Sequence, residues 1–142
     1  MKTRLEHANL TVRNADVILG FVRTAFPDFR IRFDGKGFEG ERLVHVGNDD
    51  TYLALHEARR EPAERWVPYG GRPGLNHLGY EVADAAALRE RMKGAGYEET
   101  TVPNAHPHRR RVYFEDPEGN DWEFVEYLSD EPALRNDYEI EG

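Results

Sequence analysis

The chain has 142 residues, of which 39% are apolar and 32% are charged, and its formal net charge at pH 7 is -8. This length supports one compact domain, and seven Phe, seven Tyr and two Trp indicate an aromatic core rather than disorder. Nucleic-acid affinity depends on clustered cations, so an acidic chain whose longest basic run is Arg109–Arg111 is not expected to bind DNA or RNA. Cysteine is absent, which excludes thiolate ligands and leaves nitrogen and oxygen to hold any metal.

The N-terminus runs directly into a strand pattern, and the sequence lacks a stretch of about 18 apolar residues. We therefore expect neither a signal peptide nor a membrane span. A cytoplasmic location and no membrane partner are the corresponding predictions.

The first predicted strand covers residues 5–12, where apolar and polar side chains alternate with the two-residue period of a half-buried strand. Its apolar side contains Ala8, Leu10 and Val12, and its polar side contains His7, Asn9 and Thr11. Apolar residues at helical spacing then predict a helix over 15–25. Strands near 29–34, 41–47 and 51–57 complete the first half.

The second half repeats this order, because a shift of 70 positions places Leu5–His7 on Leu75–His77. A strand from His77, a helix from Ala85 and strands near 97–102, 109–115 and 121–127 are predicted. The segment Asp116–Gly119 is expected to turn between the last two strands, since Pro presets one turn angle and Gly tolerates a positive φ.

The repeat predicts an α+β fold of two tandem βαβββ modules that form a cupped, partly open sheet. Module 1 is expected at about 4–58 and module 2 at about 75–128. A linker at about 59–74 contains the glycine-rich residues 70–74, and an acidic C-terminal tail at 129–142 is expected to pack over a partner subunit.

Three side chains are predicted to face the open side of the sheets. If the alternating apolar residues pack on the helices, His7 and His77 must point the opposite way. In the last strand Trp122 and Phe124 face the core, which turns Glu123 to the same open side. Two imidazoles and one carboxylate suit one divalent ion of Fe, Mn, Zn, Ni or Co, and three protein ligands leave positions open for substrate or water.

Five further residues are predicted around this metal site. Tyr113 and His56 are the candidate catalytic residues for proton transfer, and His56 is also a candidate fourth ligand. The candidate substrate contacts are His45, which is equivalent to Tyr113 in the repeat, Asn9, and Arg111, which can attract an anionic substrate. For Arg111 the alternative is an edge strand protected by charge.

The loop before residue 109 contains two more histidines, His106 and His108, together with Pro103 and Pro107. We expect both histidines to be exposed. A loop beside the cleft can also act as a lid.

The doubled strand-helix-strand unit, with His in the first strand of each copy and Asp116–Glu123 closing the second, resembles the vicinal oxygen chelate (VOC) superfamily over about residues 4–128. That superfamily includes glyoxalase I, extradiol dioxygenases, fosfomycin-resistance transferases and metal-free bleomycin-binding proteins. The resemblance implies a metal that binds two neighbouring oxygens of a small-molecule substrate, and it implies a homodimer.

Departures from the family pattern narrow the function. Glyoxalase I has a Glu where this chain has Ala54, the equivalent of Glu123 in the first module, whereas two His and one Glu resemble extradiol dioxygenases and fosfomycin-type transferases. The transferases favour Thr at the position of Asn9. The predicted function is a metal-dependent enzyme of lyase, isomerase or dioxygenase type, and the alternatives are a fosfomycin-type transferase and a metal-free drug- or metabolite-binding protein.

Overall fold

A computed structural model describes residues 1–61 and 67–139 of the chain, which divides into two compact units, Met1–Arg65 and Trp66–Gly142. Part of the predicted linker (62–66) and the end of the predicted tail (140–142) lie outside the described residues. Within the described ranges, every helix is too short or too polar to cross a bilayer.

The first unit contains one helix and a four-stranded sheet. Its elements are β1 (His7–Val12), α1 (Ala15–Ala25), β2 (Arg30–Lys36), β3 (Arg42–Gly47) and β4 (Tyr52–Glu57). The sheet order is β1-β4-β3-β2, in which β1 and β4 run parallel and the other neighbours antiparallel. The helix connects the two edge strands and so covers one face of the sheet.

The second unit repeats this arrangement. Its elements are β5 (His77–Glu81), α2 (Ala85–Gly94), β6 (Glu98–Glu99), β7 (Arg109–Glu115), β8 (Asp121–Tyr127) and a short helix α3 (Pro132–Arg135). The sheet order β5-β8-β7-β6 matches that of the first unit, with β5 and β8 parallel. The predicted fold class, α+β with two βαβββ modules and unclosed sheets, is confirmed.

The start of each long helix is stabilised in the same way. Asn14 caps α1 by accepting from the amides of residues 16 and 17, and Asp84 caps α2 by accepting from Ala87 N at 2.8 Å. The first amide of each helix donates to a glutamate at the end of the last sheet strand, at 3.0 Å to Glu57 and 3.0 Å to Glu126. The internal repeat therefore extends from sequence to hydrogen bonding.

The core contains apolar residues of the predicted strand alternation, as expected. In the first unit the largest fully buried side chains are Val12, Ile18, Phe21, Val22, Val44, Leu53 and Leu55; in the second they are Leu88, Met92, Phe114, Trp122 and Phe124. Full burial of one such side chain contributes about 1.5–3 kcal/mol. This apolar face fixes which strand residues remain on the open face.

The predicted strand at 97–102 is shorter than expected, because β6 contains only two residues. Beyond it, side chains replace the backbone ladder along β7: Thr101 Oγ1 accepts from Tyr113 N at 2.9 Å, and Asn104 Nδ2 donates to Arg111 O at 3.5 Å. Pro103 has no N–H to donate to a neighbouring strand. Two polar side chains thereby support the β7 backbone on either side of Val112.

The predicted surface tail packs, over its described residues, on its own unit. Arg135 pairs with Glu81 at 3.1 Å and lies over the ring of Tyr127, with 4.0 Å from Cζ to the ring centroid. Tyr138 lies under the guanidinium of Arg109 at 5.2 Å. The sequence prediction missed this docking because α3 spans only four residues and has no buried position of its own.

Gly47 ends β3 where the chain approaches β4 closely, and a Cβ there would lie 2.1 Å from Thr51 O and 2.6 Å from Tyr52 Cα. Both are backbone atoms that cannot rotate away. Gly47→Ala is therefore expected to lower the free energy of unfolding by about 2 kcal/mol in denaturant titration. Gly94→Ala is the matched control, since a Cβ at this helical position meets open space and is expected to stabilise by about 0.5–1 kcal/mol. Equal effects of the two substitutions would contradict the close approach.

Candidate metal and substrate site

In the second unit, His77 and Glu123 lie together on the open face. His77 begins β5, and Glu123 lies in the adjacent strand β8 opposite Gly79. The His77 Nε2 atom is 3.0 Å from Glu123 Oε2, and both side chains are partly buried. The neighbouring residues Trp122 and Phe124 are buried on the other face, as the two-residue period predicts.

The ring orientation of His77 is set by the preceding residue, Asn76, and by Tyr69, which the sequence did not indicate. Its Nδ1 atom is 2.7 Å from Asn76 Oδ1 and 3.4 Å from the hydroxyl of Tyr69, which is also 3.3 Å from Asp121 Oδ2. Tyr69 has a left-handed backbone with φ of 61°, which is uncommon outside glycine. With Nδ1 engaged, Nε2 points at Glu123.

His7 shows the same arrangement in the first unit. Its Nδ1 atom is 3.1 Å from the carboxylate of Glu6, the residue before it, just as Asn76 precedes His77. The ring stacks on Tyr52 with a centroid distance of 4.8 Å and an interplanar angle of 11°. In both modules, the histidine pairs with the side chain that precedes it. Comparison of the two module sequences could have revealed this pairing, because Glu6 and Asn76 occupy equivalent positions in the repeat.

The strand registers bear out the equivalences between the modules. Tyr113 lies opposite Glu123 in the second sheet, and His45 lies opposite Ala54 in the first. Ala54 is buried and its methyl group cannot bind an ion. Within the described residues, no three His, Cys, Asp or Glu side chains are arranged around one ion position.

Tyr113 is positioned as a hydrogen-bond donor beside this pair. Burial and the nearby Glu123 carboxylate raise the pKa of Tyr113 to about 12, although the positive charge of Arg111 acts in the opposite direction. Its ring centroid is 5.9 Å from that of His77. At neutral pH the phenol therefore keeps its proton.

A cavity of about 630 Å³ lies beside these residues in the second unit. Its polar lining includes Thr100, Asn104, Arg111, Tyr113 and Asp121, and its apolar wall includes Val67 and Val102. This volume is in the range of pockets that bind small molecules. Predicted residues Arg111 and Tyr113 therefore share one cavity.

The remaining predicted residues lie in the first unit. His45 contacts Tyr52 at 4.8 Å, and burial lowers the pKa of its imidazole, helped by Arg32. His56 bonds through Nδ1 to Glu41 Oε1 at 3.0 Å and lines an open cavity together with Asn9.

His56 is distant from His7 along the sheet. The register pairs His7 with Tyr52, four residues before His56 on β4, which corresponds to ~13 Å of strand. The structure thus separates His7 from His56 along the sheet, and His45, opposite Ala54, lies midway between them with its ring against Tyr52.

The prediction that His106 is exposed is wrong. His106 is buried, its Nε2 atom is 3.1 Å from Asp137 O, and its Nδ1 atom accepts from His108 N at 3.0 Å. The docked C-terminal segment covers it. Arg109, three residues later in the chain, is buried as well.

Comparison with known proteins gives a family match. The model of the Glyoxalase/Bleomycin resistance protein/Dioxygenase superfamily matches residues 4–124. A search of curated proteins finds no match to this chain.

Several solved structures share the fold. A glyoxylase/bleomycin resistance protein/dioxygenase domain from Frankia sp. EAN1pec has 22% identity and a TM-score of 0.71, covering 89% of this chain and 99% of its own. The fosfomycin resistance protein FosX from Mesorhizobium loti has 21% identity and a TM-score of 0.63, covering 91% and 94%. FosX from Listeria monocytogenes, complexed with Mn(II) and sulfate, has 18% identity and a TM-score of 0.67, covering 96% and 100%.

Both the repeated sheets and the extent of the family match lead to one assignment. This chain belongs to the Glyoxalase/Bleomycin resistance protein/Dioxygenase, or VOC, superfamily.

Proposed function

We propose that this protein is a divalent-metal-dependent enzyme that acts on a small molecule with two neighbouring oxygens. His7, His77 and Glu123 are the proposed ligands. The observation that supports this most directly is the 3.0 Å approach of His77 Nε2 to Glu123 Oε2 while Nδ1 is held by Asn76.

The chemistry of this pair fits a cation. A carboxylate only accepts hydrogen bonds, and the Asn76 oxygen also accepts, so both ring nitrogens of His77 face acceptors. Either a proton or a metal ion must lie between Nε2 and Glu123 to hold the two together. A metal-ligating histidine typically donates its other N–H to a carboxylate or carbonyl, which is the role that Asn76 fills here.

His7 is the proposed third ligand because it is equivalent to His77 in the repeat and its Nδ1 atom is likewise held by the preceding side chain. Glu6 holds its Nδ1 atom, stacking on Tyr52 fixes the ring plane, and the imidazole is partly exposed. Two imidazoles and one carboxylate leave coordination positions for substrate. A divalent ion bound here polarises substrate oxygens.

The protein's own side chains would position the substrate and move protons. Tyr113 is protonated at neutral pH, so it can donate to a substrate oxygen beside Glu123. Arg111 is two residues before Tyr113 on the same face, where it can bind an anionic substrate group. Asn9 and His45 are proposed substrate contacts, and His56, oriented by Glu41, is a proposed proton carrier.

A fosfomycin-type activity is the second candidate. The E126Q mutant of FosX from Listeria monocytogenes has been solved with Mn(II) and 1S,2S-dihydroxypropylphosphonic acid, which has neighbouring oxygens and an anionic group. In the present chain, Arg111 and Tyr113 line one cavity beside the proposed ligands. This combination supports a substrate with the same two features.

The proposal is tested by titrating metal-stripped protein with Mn(II), Fe(II), Ni(II) and Zn(II). We expect saturable uptake of one ion per chain, followed by metal-dependent turnover in dioxygen-consumption, dicarbonyl or epoxide-opening assays. A folded protein that takes up none of these ions would contradict both enzyme candidates and favour a metal-free binding protein.

We also propose a homodimer. Edge strand β2 exposes apolar side chains, with Ile31 42% and Phe33 45% accessible, and the following Phe38 is fully accessible. Exposed apolar edges are normally covered in assemblies. Sedimentation equilibrium should give twice the chain mass, and a purely monomeric protein would contradict this part of the proposal.

A further inference from the structure

Two arginines at the start of β7 have buried guanidinium atoms without partners. The Nε atoms of Arg109 and Arg111 are inaccessible to solvent and form no hydrogen bond within the described structure. Arg109 as a whole is only 9% exposed. Burial of a charged donor without an acceptor is costly, so such atoms call for a ligand or counter-ion.

Neighbouring arginines show the contrast. Arg89 pairs with Glu99 at 2.6 Å and Arg110, which faces the other side of β7, pairs with Glu126 at 3.6 Å. Around Arg109 and Arg111, no described carboxylate forms an ion pair; Arg109 reaches only the carbonyl of Arg135 at 3.4 Å and the ring of Tyr138. Among the described residues, these two arginines therefore lack a carboxylate partner, although the chain has a net charge of -8.

Both arginines line the same cavity, which has a volume of about 570 Å³. The polar groups around them include Thr101, Asn104, His106 and Arg110, while Ala85 and Ala86 from the start of α2 form part of the wall. Its charged lining contains four arginines, at positions 89 and 109–111, against two glutamates, Glu90 and Glu99. The cavity is therefore net positive.

We propose that this cavity is a binding site for the oxyanion group of a small molecule, a phosphate, phosphonate or carboxylate, held by Arg109 and Arg111. A planar guanidinium presents several N–H donors in fixed directions, which suits two-point contact with such a group. The anion supplies the negative charge that neither guanidinium group finds among the described carboxylates. Docking of Tyr138 and Arg135 against Arg109 fixes its side chain before the ligand arrives, which reduces the entropy lost on binding.

Anion binding at this site does not require the proposed metal, because neither arginine is a proposed metal ligand. Arg111 also lines the cavity beside Tyr113, so an anion on the arginines lies next to the proposed substrate site. An anion-binding result in metal-free protein therefore tests this inference separately from the enzyme proposal.

The experiment is calorimetric titration of inorganic phosphate into the full-length, EDTA-treated protein at fixed ionic strength. We expect saturable binding of one phosphate per chain. Arg109→Gln and Arg111→Gln should each weaken it about tenfold or more, because each removes a charge-assisted hydrogen bond. Lys93→Gln, which removes a positive charge from α2 outside the lining of this cavity, should change it little.

Two results would overturn the inference. One is the absence of saturable phosphate binding by the folded wild-type protein. The other is an equal loss in Lys93→Gln and Arg111→Gln, which would indicate a general charge effect. Circular dichroism checks the fold of each variant; if Arg109→Gln is unfolded, Arg111→Gln alone decides, since its less buried side chain is a smaller risk to the core.

Discussion

Asp116→Ala is expected to lower the free energy of unfolding of the second unit by about 4 kcal/mol. The carboxylate is only 3% exposed and accepts four hydrogen bonds, from Glu118 N at 2.8 Å, Asn120 N at 3.0 Å, Asn120 Nδ2 at 2.9 Å and Trp122 Nε1 at 3.0 Å. Hydrogen bonds to a charged group each contribute about 1.5–3 kcal/mol, and their loss is less than additive.

The measurement is urea unfolding followed by tryptophan fluorescence and circular dichroism. Asp50→Ala is the control, because Asp50 is exposed and its pairing with Arg4 at 3.4 Å is a surface contact. That substitution should change stability by less than about 1 kcal/mol. Similar losses in the two variants would show that the turn carboxylate does not organise the approach to β8.

His77→Ala is expected to weaken divalent-metal binding by about a hundredfold or more. Loss of a residue that only orients a ligand typically reduces metal affinity about 10–100-fold, so removal of the ligand itself should cost at least as much. Glu123→Ala should have a comparable effect. Asn76→Ala leaves the imidazole but frees its Nδ1 atom. This substitution should weaken metal binding by the smaller factor, about 10–100-fold.

Metal affinity can be measured by competition with a chromophoric chelator. His56→Ala is the matched control, since it removes an imidazole that bonds to Glu41 and lies far along the sheet from His7. It should bind metal as the wild type does. Stoichiometric metal in His77→Ala, or an equal loss in His56→Ala, would mean that the ligand assignment is wrong.

Much of the fold followed from periodicity alone. The helix over 15–25 matches α1, and the strands at 109–115 and 121–127 match β7 and β8, because each has a regular apolar face that must be buried. The same alternation correctly turned Trp122 and Phe124 inward and left Glu123 on the other face. The repeat added the equivalences of His7 with His77 and of Ala54 with Glu123.

Other features have no periodic signal. Tyr69 reaches His77 from the connector through a left-handed backbone that its residue type does not favour. The burial of His106 depends on Asp137, 31 residues later in the chain, and no local pattern contains that contact. Likewise, the shortening of β6 depends on side chains of Thr101 and Asn104 that pair with the backbone of β7. In each case one specific long-range contact, rather than a repeated apolar face, determines the geometry.

We propose that His7, His77 and Glu123 hold a single metal ion. X-ray absorption spectroscopy of the Zn(II)- or Co(II)-loaded protein counts imidazole ligands directly through multiple scattering from the rings. We expect two imidazoles per ion in the wild type and one in His7→Ala. One imidazole or none in the wild type, or two still present in His7→Ala, would contradict it.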